Sequence, residues 1–275
     1  MSIIVTEEIQ ARLGCVRGYV LDMDGVLYRG HTQLPHAREF LDELNANGIP
    51  FIMATNNSMN TPEQYVAKLA GMGITVPAER ILTSSLATRG WMQEQYPAGT
   101  RVFVIGMDSL HQAIFSGGYF QPAGTDAQVV VVGADFGVNY EKLKTATLAI
   151  RNGAAFVATN GDKTFPTEEG QIPGAGSIVA AIEAAGGAAP DIVVGKPSPR
   201  MFLEAARILG TEPDQTGMIG DRLDTDILGA ERAGFVSVLV LTGVTRPEEL
   251  EQSTIHADIV LPDLGPLVAF YREDQ

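Results

Sequence analysis

Two aspartates stand two residues apart in Asp22-Met23-Asp24-Gly25, directly after the apolar run Gly18-Tyr19-Val20-Leu21. Residues two apart on an extended segment point the same way, so both carboxylates can face one pocket. Alone, the pattern is weak: most such pairs are solvated turns, and a calcium loop begins similarly. The calcium reading fails, because Val26 stands where a third side-chain ligand belongs and Gln33 where the terminal glutamate belongs.

Three further clusters share this grammar of apolar run followed by polar turn. Thr55-Asn56-Asn57-Ser58 follows Pro50-Phe51-Ile52-Met53-Ala54 and precedes a helical pattern. A hydroxyl and exposed backbone N–H groups at a helix start suit a phosphate oxygen, although a plain turn and cap has the same composition. Gly195-Lys196-Pro197-Ser198-Pro199 follows Ile192-Val193-Val194, so the Lys196 ammonium could be held toward the pocket as a point charge; most lysines simply face solvent. Gly220-Asp221-Arg222-Leu223-Asp224-Thr225-Asp226 follows Gly217-Met218-Ile219. Mg²⁺ takes one or two carboxylates and keeps waters and substrate phosphate for the rest, which makes Asp221 the better ligand candidate. Asp224 or Asp226 alone would be ordinary capping at a helix start. Together the four clusters supply two acids, a hydroxyl, an ammonium and another acid, and one pocket at the carboxyl edge of a sheet could hold them all.

The elements that must position these groups are legible. Short apolar runs alternate with helical segments, the pattern of a parallel sheet covered by helices. The helices read as Pro35 to Asn47 closed by Gly48, Pro62 to Ala70 closed by Gly71, Pro199 to Leu209 closed by Gly210, and Thr225 to Ala233 closed by Gly234. The middle of the chain repeats the alternation with its own strands at Arg101-Val102-Phe103-Val104-Ile105, Gln128-Val129-Val130-Val131-Val132 and Ala155-Phe156-Val157-Ala158. This fits a second α/β domain inserted into the first, with edges near Thr83-Ser84-Ser85 and in Gly186-Gly187-Ala188-Ala189-Pro190.

With 33 acidic against 19 basic residues and a formal charge of -14, the average surface repels phosphate backbones and anionic membranes, so a nucleic-acid polymer and a membrane are not expected partners. An anionic small substrate needs a local positive site, from a metal or a few placed cations. Met1 to Gly14 lacks a basic n-region and a continuous apolar h-region, and no membrane-spanning stretch is present. Cys15 is the only cysteine, which fits a reducing cytoplasm; a buried thiol is its expected state. His31, His36, His111 and His256 lack metal-ligand spacing.

In order and wording the four clusters resemble the motifs of the haloacid dehalogenase superfamily: DxD, then Thr or Ser, then Lys, then an acidic motif. Asp22 through Gly30, Thr55 through Ser58, Gly195 through Pro199 and Gly220 through Ile227 look like subfamily IIA, which contains NagD, 4-nitrophenylphosphatases, phosphoglycolate phosphatases and pyridoxal phosphatases. Ala158-Thr159-Asn160-Gly161-Asp162 and Pro173-Gly174-Ala175-Gly176 resemble its C2-type cap, with Gly161 where a proline is more usual. The resemblance implies a Rossmann-like doubly wound parallel-sheet core (residues 1–83 and 189–275) carrying an inserted α/β cap (84–188). It implies Asp22 as nucleophile, Asp24 as general acid/base, and Thr55, Asn56, Asn57 and Lys196 as phosphate-binding groups. Mg²⁺ would be held by Asp22, Asp221 and the backbone carbonyl of Asp24, with Asp226 in support. Cap residues Asn160 and Asp162 would meet the substrate.

The activity so implied is Mg²⁺-dependent hydrolysis of a small phosphorylated metabolite through an aspartyl phosphate. A phosphotransferase or mutase on the same site and a non-catalytic phosphometabolite-binding protein are the alternatives. A dehalogenase does not need the acid/base chemistry of Asp24. The leaving group is not encoded in these motifs: nucleotides, sugar phosphates, glycolate phosphate, glycerol phosphate and pyridoxal phosphate all fit. The cap could supply a homodimer surface.

Overall fold

The computed structural model describes residues 7–167 and 169–273, so the reading of Met1 to Gly14 lies partly outside the described residues. The chain forms two compact α/β units. The first takes in the described residues of Met1–Ala54, Pro62–Leu82 and Lys196–Gln275; the second takes in those of Thr55–Thr61 and Thr83–Gly195.

In the first unit six strands lie in the order Ile259–Leu261, Val236–Val240, Thr216–Gly220, Gly18–Leu21, Phe51–Thr55 and Ile81–Thr83. The central strand pairs in parallel with Thr216–Gly220 on one side, Val20 opposite Met218, and with Phe51–Thr55 on the other, Val20 opposite Ile52. Every residue of Gly18–Leu21 is buried, as a strand covered on both faces requires. Tyr19, Phe40 and Tyr271 pack edge-on or tilted within the core, and the Tyr19 and Tyr271 hydroxyls share a 2.7 Å hydrogen bond that satisfies both buried oxygens.

The second unit has its own five-stranded sheet, ordered Ile192–Val193, Ala155–Ala158, Val129–Val132, Arg101–Ile105 and Gln121–Pro122, with every pairing parallel. Val130, Val132, Phe156 and Ile182 lie in its core.

Three sequence expectations change here. The run Ile192-Val193-Val194 does not join the sheet of Asp22: Ile192 pairs with Val157 and Val193 with Ala158, so the second unit reaches Gly195 instead of ending near residue 188. The helix expected over Thr225 to Ala233 is an α-helix only from Leu228 to Ala233, preceded by a wide π-type turn over Leu223–Ile227 in which the Ile227 N–H reaches back to the Arg222 carbonyl. Cys15 is exposed at the end of the helix Glu7–Cys15. No helix among the described residues is long and apolar enough to cross a membrane.

Candidate active site

The chain leaves the central strand Gly18–Leu21 toward Phe51–Thr55 on one side and later returns to Thr216–Gly220 on the other. The order therefore reverses between these neighbours, and a crevice opens at the carboxyl ends of such strands. Asp22 and Asp221 are the first residues beyond these two ends. The Asp22 N–H still donates to the Ile219 carbonyl at 2.8 Å, which fixes the backbone beneath its side chain.

Asp221 sits in a tight cradle. Its Oδ2 accepts from the Val244 N–H at 2.6 Å, and its carbonyl accepts from the Thr245 N–H at 3.1 Å. A Cβ on Gly243 or on Gly25 would collide with the Asp221 carboxylate, and Gly25 also takes the left-handed φ of 85° that favours glycine. The π-type turn swings Asp226 back beneath the strand end. There its Oδ2 accepts from the N–H groups of Asp221 (3.2 Å) and Arg222 (3.1 Å). Lys196 joins the acids from below: its Nζ lies 2.5 Å from Asp22 Oδ1 and 2.7 Å from Asp226 Oδ1, and donates to the Ala54 carbonyl at 3.3 Å. At 4 % side-chain exposure it is a buried ammonium between two carboxylates.

The electrostatics follow from that burial. Desolvation pushes the Asp22 carboxyl up to about 7, with Lys196 pulling it down and Asp226 and Asp24 pushing it further up. Desolvation likewise raises Asp221 to about 8, helped by the charges of Asp22 and Asp226. Burial favours the neutral form of Lys196, but Asp22 and Asp226 outweigh it and hold the ammonium charged. With all three carboxyls ionised they would outnumber the one ammonium, and the upward shifts of Asp22 and Asp221 express that excess of negative charge.

Whether these residues suit a divalent cation can be judged from their atoms. One carboxylate oxygen from each of Asp22, Asp221 and Asp226 lies within 4.8 Å of the others. Asp221 Oδ1 is buried with no hydrogen-bond partner, although its twin oxygen is held by Val244. A hard, oxygen-seeking cation would satisfy that atom and neutralise the surplus, so the donor set fits. Asp226, expected only in support, is a full member of this cluster. Asp224 is not: it faces solvent, paired with the Arg222 guanidinium at 2.9 Å.

Asp24 stands outside the carboxylate cluster. It follows the strand by two residues and bridges to Tyr28, where the short hairpin Tyr28–Arg29 with Thr32–Gln33 begins. Partial burial raises its carboxyl above the ordinary range, and the charges of Lys68 and Arg29 oppose the rise. Lys68 is itself placed by its contact over the Tyr28 ring, 4.0 Å from the centroid. The two acids of the DxD motif thus occupy different surroundings.

The remaining motif residues belong to the second unit. The Thr55 hydroxyl accepts from the Asn57 N–H at 3.2 Å, and Asn57 Oδ1 accepts from the Met59 N–H at 2.7 Å, two side-chain turns that shape the loop. Asn56 Nδ2 donates to Asp162 Oδ2 at 3.2 Å. Asn160, expected to meet the substrate, is 4 % exposed, and its Nδ2 donates to the Asn56 carbonyl at 2.8 Å.

Sequence reading missed the loop Thr242-Gly243-Val244, which provides the backbone donor to Asp221. Its Thr242 hydroxyl donates to the Gly25 carbonyl at 2.6 Å, and its Thr242 carbonyl accepts from Arg29, so it is tied to the DxD turn. The signal was present: Val236–Val240 is another buried strand ending in a small polar turn.

Comparison with known proteins agrees with this geometry. A haloacid dehalogenase-like hydrolase model matches residues 19–119, and a HAD-hydrolase-like model matches residues 193–267. The acid sugar phosphatase of Staphylococcus aureus is 37% identical over 253 residues, covering 92% of this chain and 97% of that protein. Among solved structures, 4-nitrophenylphosphatase from Thermotoga maritima superposes with a TM-score of 0.88 at 37% identity, covering 94% of this chain and 98% of the other. NagD from Escherichia coli K-12 gives 0.85 at 29% identity, with 90% and 97% covered. The doubly wound sheet with acids at its switch point is thus matched by hydrolases over both of its chain segments. The chain belongs to the haloacid dehalogenase-like hydrolases, in the subfamily of NagD and the 4-nitrophenylphosphatases.

Proposed function

We propose that this enzyme is a phosphomonoesterase that hydrolyses small phosphorylated metabolites, with Asp22 as nucleophile and Mg²⁺ as its cation. One observation carries the reading: Asp22, at the topological switch point, is ion-paired to a buried lysine and shares a cluster with two further carboxylates that has room for one hard cation. The cation would be held by Asp22, Asp221 and the Asp24 carbonyl, with Asp226 supporting, and would supply the positive charge that lets a carboxylate approach a phosphate dianion.

The chain's own groups do the rest. Lys196 fixes the Asp22 carboxylate and stabilises charge on the transferring phosphoryl group. An Asp22 oxygen attacks phosphorus as the bond to the leaving oxygen breaks, giving an aspartyl phosphate. Asp24, whose raised pKa favours arrival with a proton, gives that proton to the leaving oxygen. Its carboxylate then takes a proton from the water that attacks the same phosphorus, which releases phosphate and restores Asp22. Thr55, Asn56 and Asn57 contribute hydroxyl, amide and backbone donors to phosphate oxygens. We read the second unit as the C2-type cap that selects the leaving group and offers a homodimer surface, and the enzyme as cytoplasmic. The name of the staphylococcal relative puts sugar phosphates at the head of a substrate panel.

The test is to trap the intermediate. Acid quench during turnover followed by peptide mass spectrometry should place a phosphoryl group on Asp22, and Asp22→Asn should abolish both the adduct and the phosphate release. Full activity in Asp22→Asn would refute the mechanism.

A further inference from the structure

The loop that carries Thr55 is held by side chains from outside the four core motifs. The Asn56 carbonyl accepts two hydrogen bonds, from Ser84 Oγ at 2.6 Å and from Asn160 Nδ2 at 2.8 Å. Ser84 opens the helix Ser84–Gln95, and Asn160 follows the strand Ala155–Ala158, so two separate elements converge on one oxygen. Ser84 is fully buried and Asn160 nearly so, so each donor group meets the carbonyl from inside the protein.

That carbonyl belongs to the planar trans peptide joining Asn56 to Asn57, whose N–H points the opposite way. Fixing the oxygen therefore aims the Asn57 N–H. In the structure that N–H donates to Thr55 Oγ1. A hydroxyl has one hydrogen to give and lone pairs to receive. With Asn57 occupying a lone pair, the Thr55 hydroxyl rotor is biased to present its own hydrogen elsewhere, as a donor.

We propose that Asn160 and Ser84 are positioning residues for phosphate binding, acting through the Asn56–Asn57 peptide to hold the Thr55 hydroxyl as a hydrogen-bond donor to a phosphate oxygen. The inference rests on the reading of Thr55 as a phosphate ligand. It also gives Asn160 a role other than substrate contact: with Nδ2 on the Asn56 carbonyl and Oδ1 accepting from the Asp162 N–H at 3.1 Å, its amide is spent inside the unit.

The test is a double-mutant cycle read by competitive inhibition with inorganic phosphate, alongside KM and kcat. Thr55→Val removes the hydroxyl at nearly constant shape and should weaken phosphate inhibition about tenfold. Asn160→Asp keeps the shape but replaces the donor by an acceptor facing the Asn56 carbonyl, and should weaken it about five- to tenfold. Ser84→Ala should give a smaller loss in the same direction, and Ser84→Thr, which keeps the hydroxyl, should restore most of it. If Asn160→Asp does not fold, the Ser84 pair carries the same cycle. In the background of Thr55→Val, the Asn160 and Ser84 changes should add almost nothing, because they act through the missing hydroxyl. Full additivity overturns the inference while leaving Thr55 a phosphate ligand. No effect of Thr55→Val on phosphate inhibition overturns the ligand reading itself, and the inference with it.

Discussion

The two units hold their polar groups in opposite ways. At the switch point of the first sheet, three carboxylates crowd around one ammonium, charge is left over and Asp221 Oδ1 has no partner. In the loop Thr55–Thr61 of the second unit two backbone carbonyls are each held by two neutral donors: the Asn56 carbonyl by Ser84 Oγ and Asn160 Nδ2, and the Ser58 carbonyl by Ser85 Oγ at 3.1 Å and Ser109 Oγ at 2.6 Å. A cluster short of positive charge favours the arrival of a cation, whereas a satisfied network favours a fixed backbone. The first is suited to take up a cation, and the second to keep its backbone in place.

The sharpest way to break this contrast is Asp24→Asn. Because Asp24 lies outside the charged cluster, the change should lower kcat by about a hundredfold or more, as expected for loss of a general acid, while Mg²⁺ affinity by isothermal titration stays near that of the parent. Lost metal affinity would place Asp24 inside the cluster after all. Next in size is Gly243→Ala. The new methyl meets the Asp221 carboxylate, so Mg²⁺ affinity should fall about ten- to a hundredfold, the range seen when a ligand's support is disturbed. Unchanged affinity would mean that the cradle is not needed.

A third expectation concerns pH. Asp22 and Asp221 stand at about 7 and about 8 in the folded protein, against 3.8 for the ordinary carboxyl, so in the metal-free state folding retains protons that the unfolded chain has already released. Their contribution to stability is whole below about pH 4 and is lost as pH rises through 7 and 8. The Tm of chelator-treated enzyme should therefore fall between pH 5 and pH 8, and added Mg²⁺ should raise Tm more at pH 8 than at pH 5. A flat profile without metal would count against the charge surplus. The smallest effect should come from Asn139→Ala, which removes the side chain that accepts from the Lys142 N–H and caps the helix Tyr140–Arg151. It should cost about 1 kcal/mol by denaturant unfolding, with kcat unchanged.

Much of this was legible because strand ends announce themselves. An apolar run that stops abruptly at Asp22 or Asp221 places those acids whatever the rest of the fold does, and Gly210 and Gly234 close their helices in the left-handed conformation expected of them. What escaped reading has a physical cause in each case. Ile192-Val193 is short and apolar enough to suit either sheet, and only pairing with Val157 and Ala158 decides between them. Asp226 reads only as support for the metal site, because nothing local distinguishes a π-type turn from the first turn of an α-helix, yet the wider turn is what returns its carboxylate to Lys196. The buried bond of Asn160 was not legible because its partner, the Asn56 carbonyl, lies more than a hundred positions earlier and carries no signature in the sequence.

The pairing of Val20 with Met218 also sets an order of events during synthesis. The central strand emerges from the ribosome early, but the neighbour that brings Asp221 beside Asp22 emerges only after the whole of Thr83–Gly195. That intervening stretch contains all five strands of its own sheet and can begin to fold while the first strand still has one edge open. A nascent chain or fragment ending before Thr216 consequently has an apolar central strand with one unpaired edge, and it lacks Asp221 and Asp226. Its hazard is strand-to-strand association with other chains, not premature catalysis.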